Sequence, residues 1–237
     1  FQKALKIDPL YYAATAALAS VEMAAGRPDG ARKLFEDVLK IDPRNSLALV
    51  GLAELKARTG GSKDEVTAAI TRAIDANPQE PGPWLLLINH LLCSREPKAA
   101  LTAAQGAASA LPNDLSVMNA LGTAQLAAGE TQQALATFGR SVTAHPKSVQ
   151  SNLLLAEAHL AVKDYGRARQ ALERILGVDP RNLQAQRALI TIAIMEKRTP
   201  EALAVARSIQ QQRPKESIGY LAEAEIHVSQ QRSDLAL

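Results

Sequence analysis

Large apolar residues and very small ones return along this chain at a single spacing. Leucine stands at Leu18, Leu52, Leu87, Leu121, Leu155 and Leu189, and the series fails only at Glu223. Alanine stands at Ala31, Ala100, Ala134, Ala168, Ala202 and Ala236, failing only at Val66. Proline keeps the same beat: Pro9, Pro43, Pro78, Pro112, Pro146, Pro180 and Pro214 are separated by 34, 35, 34, 34, 34 and 34 residues. No strand-like alternation of β-branched residues competes, and each interval has room for two short helices. A leucine on the first helix against an alanine on the second lets the two cross closely and interlock. A period of this length, built from helix pairs, predicts an all-α solenoid in which each repeat contacts only its neighbours.

With the proline counted as position 32, the pattern predicts six complete repeats at 12–45, 46–80, 81–114, 115–148, 149–182 and 183–216. A second helix of a truncated repeat precedes them at 1–11, and a partial seventh repeat follows at 217–237. The clearest copy is 115–148, where Leu121-Gly122, Gly129, Ala134, Phe138 and His145-Pro146 supply a close contact, a turn, a second close contact, an aromatic filler and a stop. Two residues after the proline stand Asn45, Asp114, Ser148 and Asn182, whose side-chain oxygens suit helix N-caps. Between the helices lie Gly26-Arg27-Pro28, Arg95-Glu96-Pro97, Gly129-Glu130-Thr131 and Lys197-Arg198-Thr199-Pro200. In these turns glycine suits a left-handed stop and proline the first turn of the next helix. Gly60-Gly61 accounts for the single 35-residue interval as an insertion in a loop, where it costs little. Phe1 is in phase with Phe35 and Phe138, so the chain is expected to begin inside a second helix and to stop at Leu237 as another begins. Both ends would then expose stacking faces, which favours self-association.

The unit resembles the tetratricopeptide repeat, or TPR. Trp84 or an equivalent stands at position 4, leucine at 7, glycine or alanine at 8 (Ala19, Ala53, Gly122, Ala156, Ala224), alanine at 20, phenylalanine at 24 and proline at 32. The resemblance implies a right-handed superhelix of antiparallel helix pairs, with Trp84 and Tyr220 in the core. The chain departs from it at Ile88 and Ile190, bulky at position 8. It departs again at position 11, where Glu22, Lys56, Gln125, His159 and His227 replace the usual tyrosine. A finer likeness lies in Leu154 to Tyr165, in Ala185 to Ile190, in Ala206-Arg207 and Gln210, in Gln212 to Glu216 and in Gly219-Tyr220. These runs are similar to TPR proteins that accompany bacterial exosortase (PEP-CTERM) and exopolysaccharide systems. That likeness implies an envelope scaffold, periplasmic or anchored at the outer membrane; the residues themselves leave the compartment open, the cytoplasm included.

Composition changes the picture little. With 47% hydrophobic but only 3% aromatic residues, alanine and leucine supply the apolar surface. The net charge of +3 is spread over many helices with no basic block, so nucleic acid is not an expected partner. A single cysteine, Cys93, excludes an internal disulfide and a thiolate cluster. The most apolar stretch, 84–93, contains Asn89 and His90 and falls short of the ~20 residues a membrane span needs; it reads as a buried helix. No phosphate-cradling glycine loop, His-Glu-x-x-His, Gly-x-Ser-x-Gly or Cys-x-x-Cys occurs. Glu157 and His159 are two apart on one helix and face different ways, which does not make an acid–base pair. No cofactor, metal or catalytic residue is expected.

What remains is the concave face, lined in such repeats mainly by positions 2, 5, 9, 12 and 13 of the first helices. Those positions supply Ser20, Glu54, Arg58, Asn89, Asn119, Thr123, Gln150, Glu157, Gln184, Arg187, Thr191 and Glu225 among apolar Leu85, Leu126, Leu153, Leu160 and Ile194. Amides and charges of both signs over an apolar floor suit an extended peptide or a partner helix. The basic clamp of chaperone-tail-binding TPR domains is absent, since positions 5 and 6 read mostly alanine and leucine. A non-catalytic interaction scaffold is the expected function. An RNA-binding helical repeat is the alternative, and it lacks stacking aromatics and a basic stripe.

Overall fold

The computed structural model describes residues 1–230, and no strand occurs among them. A short helix α1 (Gln2–Ile7) is followed by helix pairs: α2 (Tyr12–Ala24) with α3 (Pro28–Ile41), α4 (Ser46–Arg58) with α5 (Lys63–Ala76), and α6 (Pro81–Cys93) with α7 (Pro97–Ala110). Next come α8 (Leu115–Ala127) and α9 (Thr131–Ala144), α10 (Val149–Ala161) with α11 (Tyr165–Val178), α12 (Leu183–Met195) with α13 (Thr199–Gln212), and finally α14 (Ile218–Ser229). Ala236 and the second helix expected near Leu237 lie outside the described residues.

The chain forms two compact bodies, Phe1–Ala128 and Gly129–Leu237. In the first, consecutive helices α1 to α8 pack in chain order, and the first helices also meet directly where α2 touches α4 and α6 closes on α8. In the second, α9 to α14 pack in chain order, with α12 touching α14. Within each body the helices therefore bury their apolar sides against their neighbours, as a repeat array requires.

Local chemistry sets the helix ends. The side chains of Asn45, Asp114, Ser148 and Asn182 accept from the backbone N–H groups of Ala48, Val117, Ser151 and Ala185, each cap contributing about 1 kcal/mol. Ser62 and Glu65 add a capping box at α5, and Asp164 caps α11. The left-handed turn position is only half a glycine site. Gly26, Gly60 and Gly129 hold it in three hairpins, whereas Arg95, Lys163 and Lys197 hold it at φ near 60° in the other three. Long basic side chains accept that backbone cost because the turn faces solvent and their charge lies near the C-terminus of the preceding helix.

Position 20 is fully buried throughout the described repeats, at Ala31, Val66, Ala100, Ala134, Ala168 and Ala202. Two further buried series have no constant letter. Position 3 reads Ala14, Ala48, Pro83, Val117, Ser151, Ala185 and Gly219, and position 27 reads Val38, Ala73, Ala107, Ser141, Ile175 and Ile209. The Ser141 hydroxyl donates to that of Ser151 at 3.1 Å, which shows position 27 of one repeat meeting position 3 of the next. Close packing also explains Gly51, where a Cβ would stand 2.5 Å from the buried Phe35 ring.

Position 4 corrects the sequence reading. Trp84 is half-buried and Tyr220 is 57% exposed, so they are not both core residues. The Trp84 ring lies over Gly106 of its own second helix, and the residues that would correspond to Gly106 in the repeat of Tyr220 are not among the described ones. Asn152 and Gln186, by contrast, are almost wholly buried at this position. The Trp84 indole N–H donates to Pro78 O at 3.0 Å, Asn152 Nδ2 to Pro146 O at 3.0 Å and Gln186 Nε2 to Pro180 O at 3.1 Å. An aromatic and two amides thus perform one task, clipping the proline carbonyl that ends the preceding repeat. Arg44 and Arg181 add a second clip, donating to the last carbonyls of α5 and α13, at Ala76 and Gln212. Cations there also meet the negative helix ends.

Candidate functional site

The first helices are covered on one side only. Along positions 2, 9 and 13 the chain is exposed nearly throughout: Gln150 and Gln184 at position 2, Ser20, Glu54, Asn89, Glu157, Thr191 and Glu225 at position 9, and Arg58 at position 13. Thr123 is half-buried, its hydroxyl donating to the Asn119 carbonyl one turn back. Arg187 is exposed at position 5. Position 12 supplies half-buried apolar side chains, Met23, Leu92, Leu126, Leu160 and Ile194. Each first helix therefore presents a polar side chain at position 9, beside an apolar stripe in every described repeat but that of α4, the surface expected for holding a partner by anchors and hydrogen bonds.

Three details depart from the sequence reading. Asn119 is buried, at 9% exposure, and is engaged within the protein. Position 5 is more floor than lining, since Leu153 is also buried and Ala16, Val50 and Leu85 are half-buried. Helix α6 is not buried all round: Pro83, Leu87, Ile88 and Leu91 face inward, while Asn89 and Cys93 are exposed.

In the first body this face has relief. A small cleft of about 80 Å³ is lined by Tyr12, Ala16, Ser20, Met23, Glu54 and Arg58 among others. Burial, and then the nearby Glu54 carboxylate, raise the Tyr12 hydroxyl above the ordinary tyrosine pKa. A second cleft of about 230 Å³ opens between α4, α5 and α6, lined by Ala53, Glu54, Ala57, Arg58, Val66, Ile70, Leu86 and His90. Sequence reasoning named Glu54, Arg58 and Asn89 and missed this hollow, although a short side chain at Ala57 was the available signal.

In the second body the exposed residues Gln150, Glu157, Gln184, Arg187 and Thr191 belong to α10 and α12. Behind them sits His159, 8% exposed, with Nδ1 at 3.7 Å from an Asp164 carboxylate oxygen. Desolvation lowers its pKa, opposed by Asp164 and assisted by Arg167 and Arg174. Glu157 faces away from it into solvent, so the two do not form a reacting pair. Among the described residues no group of three or more His, Cys, Asp or Glu side chains could hold a metal ion. No described helix is long and apolar enough to cross a membrane.

Helical hairpins of uniform length, packed in chain order within each body and with one side of the first helices bare, define an α-helical repeat array. Models of the tetratricopeptide repeat match residues 12–55, 85–149, 125–191 and 159–226, together well over half of the sequence, and the chain belongs to that family. It is 30% identical over 211 residues to anaphase-promoting complex subunit 7 of Arabidopsis thaliana, covering 86% of this chain and 36% of that protein. The chain thus spans about a third of that relative's length. Its fold is similar to that of Pseudomonas aeruginosa pilF, with a TM-score of 0.63 and 17% identity over 92% of this chain and 96% of that one. It is also similar to YrrB, described as a TPR protein with an unusual peptide-binding site, with a TM-score of 0.54 and 18% identity over 79% and 96% of the two chains.

Proposed function

We propose that this chain is a non-catalytic scaffold that holds an extended peptide, or a segment of a partner protein, against the bare face of its first helices. The observation that carries the reading is the polar side chain at position 9 of every repeat, exposed in all but Thr123 and joined by Gln150, Gln184 and Arg58 at positions 2 and 13, beside half-buried apolar residues at position 12. Solvated polar groups that recur in phase offer a partner backbone repeated hydrogen bonds, and the apolar stripe offers anchors. The peptide-binding site named for YrrB and the assembly named for the Arabidopsis relative support it. The likeness of 154–165 and 185–190 to TPR proteins of exosortase and exopolysaccharide systems supports an envelope setting, periplasmic or outer-membrane-anchored.

The test uses a phage-displayed dodecapeptide library selected on the whole chain. Replacing Glu157, Gln184 and Arg187 together with alanine should leave the melting curve nearly unchanged, since exposed side chains usually contribute within about ±0.5 kcal/mol. Binding of the selected peptides should weaken several-fold or more. Glu173→Gln with Arg174→Gln, on the exposed side of α11, should leave binding intact. Peptides lost only with the α11 changes would overturn the reading. So would failure to select peptides from a chain that instead binds homopolymeric RNA with a steep salt dependence.

A further inference from the structure

One repeat breaks the apolar stripe. Position 12 is Met23, Leu92, Leu126, Leu160, Ile194 and Val228 in six repeats and Ala57 in the other. In two repeats, one in each body, the large residue clusters with positions 6 and 10 of the next repeat. Leu92 joins the cluster containing Ala120 and Ala124, and Ile194 joins the one containing Ala222 and Ile226. At Ala57 the facing residues are Leu86 and His90, and no described residue fills the space between them; the 230 Å³ cleft opens there. The backbone does not compensate, because α4 and α6 approach less closely than α6 and α8 do.

Resting on the peptide-scaffold reading, we propose that the hollow at Ala57 receives one large apolar side chain, leucine or methionine, from an extended peptide, and so completes the stripe that the array builds elsewhere from its own residues. Size fits that occupant. Small-molecule sites run to roughly 300–1,000 Å³, and this hollow is smaller but far larger than one water. Chemistry fits it as well. Ala53, Ala57, Val66, Ile70 and Leu86 give water in the hollow few partners, so an incoming aliphatic group displaces poorly bound solvent.

The rim supplies the rest of the recognition. Glu54 and Arg58 are exposed, lie one turn apart on α4 and make no ion pair or side-chain hydrogen bond among the described residues. A carboxylate accepts a peptide N–H and a guanidinium donates to a peptide carbonyl, so together they satisfy the backbone on either side of the anchored residue. The His90 ring nitrogen Nε2 stands 3.3 Å from the Lys63 carbonyl oxygen, which holds the ring as a fixed wall.

Two measurements test the proposal, both on the whole chain. N-acetyl-leucine methylamide, titrated at millimolar concentration with N-acetyl-aspartate methylamide as control, should give saturable NMR shifts at the Ala53 and Ala57 methyls and the His90 ring. Ala57→Leu, which restores the repeat pattern, should remove those shifts and weaken library-selected peptides at least about ten-fold, with no loss of thermal stability. Ala57→Met, a flexible filler, is the substitute if the leucine variant folds poorly. Absence of saturable shifts in the unmodified chain would overturn the proposal. It would also fall, with the broader reading intact, if selected peptides bound Ala57→Leu normally but were lost on replacing Glu157, Gln184 and Arg187. Peptides unaffected by every first-helix change would overturn the broader reading and this one with it.

Discussion

Replacing Asn152 tests whether position 4 holds consecutive repeats together. The side chain is 1% exposed, and its Nδ2 donates to Pro146 O at 3.0 Å and to Ser148 O at 2.8 Å. Its Oδ1 has no hydrogen-bond partner, so removing that atom costs nothing in hydrogen bonding. Ser148 O also accepts from the Asn152 backbone, and Pro146 is exposed, so truncation removes two bonds without burying an unpaired carbonyl. Two bonds worth roughly 1 kcal/mol each give an expected loss of about 2 kcal/mol for Asn152→Ala. Asn152→Asp sharpens the test because it keeps the shape and removes the donor. Burial beside a carbonyl oxygen raises that carboxyl's folded pKa well above the ordinary ~3.9. A raised folded pKa means that stability is retained below the unfolded value and lost as pH rises toward the folded one. The aspartate variant should therefore fall short of the parent by at least about 3 kcal/mol at pH 7.5, and by much less at pH 4.5, where a protonated carboxyl donates to Pro146 O. Urea denaturation at both pH values, with amide exchange along α10 to localise the effect, measures it. An alanine variant within about 0.5 kcal/mol of the parent, or an aspartate deficit that does not change with pH, would refute the clip.

Two further outcomes follow from local geometry. Gly51→Ala should destabilise by about 1–3 kcal/mol through the clash with Phe35, and Phe35→Leu should absorb part of that cost, so a double-mutant cycle in urea should show coupling between them. The lowered pKa of His159 makes its protonation unfavourable in the folded chain, so its contribution is intact above the unfolded value near ~6.5 and is lost as pH falls. The parent should therefore lose more stability than His159→Gln between pH 7.5 and 5.5, and equal losses in paired denaturation curves would contradict the assignment.

The sequence disclosed those parts of the fold that recur as the same letter. Position 20 holds alanine in every described repeat but that of Val66, and position 32 stops a helix, so alanine and proline repeat visibly, and the caps at Asn45, Asp114, Ser148 and Asn182 sit at a fixed offset from the prolines. Positions 3 and 27 are just as buried but were illegible, because Ala, Pro, Val, Ser and Gly all fill the one and Val, Ala, Ser and Ile the other. What those sites share is a contact, and a contact pair can trade volume between its members. The exposure of Glu54, Asn89, Glu157 and Arg187 was legible from register alone. Asn119 was not, because register gives a direction and the depth depends on neighbouring side chains.

Departures from the pattern then divide by what the structure does with them. Asn152 and Gln186 put amides where an apolar or aromatic residue is expected, and each is answered by a proline carbonyl within hydrogen-bond reach. Arg95, Lys163 and Lys197 take a backbone conformation better suited to glycine, in turns open to water where a long side chain meets no obstacle. Gly51 is answered by the ring of Phe35. Each of these changes is compensated inside the molecule and therefore speaks of packing. Ala57 is different, since neither its neighbours nor the backbone of α4 and α6 close the space it leaves. Dense packing is the rule in protein interiors, and an apolar gap at the edge of one forfeits contacts that any fitting side chain would restore. An uncompensated departure on the bare face of the first helices is thus where the physics of the fold ends and the chemistry of a partner begins.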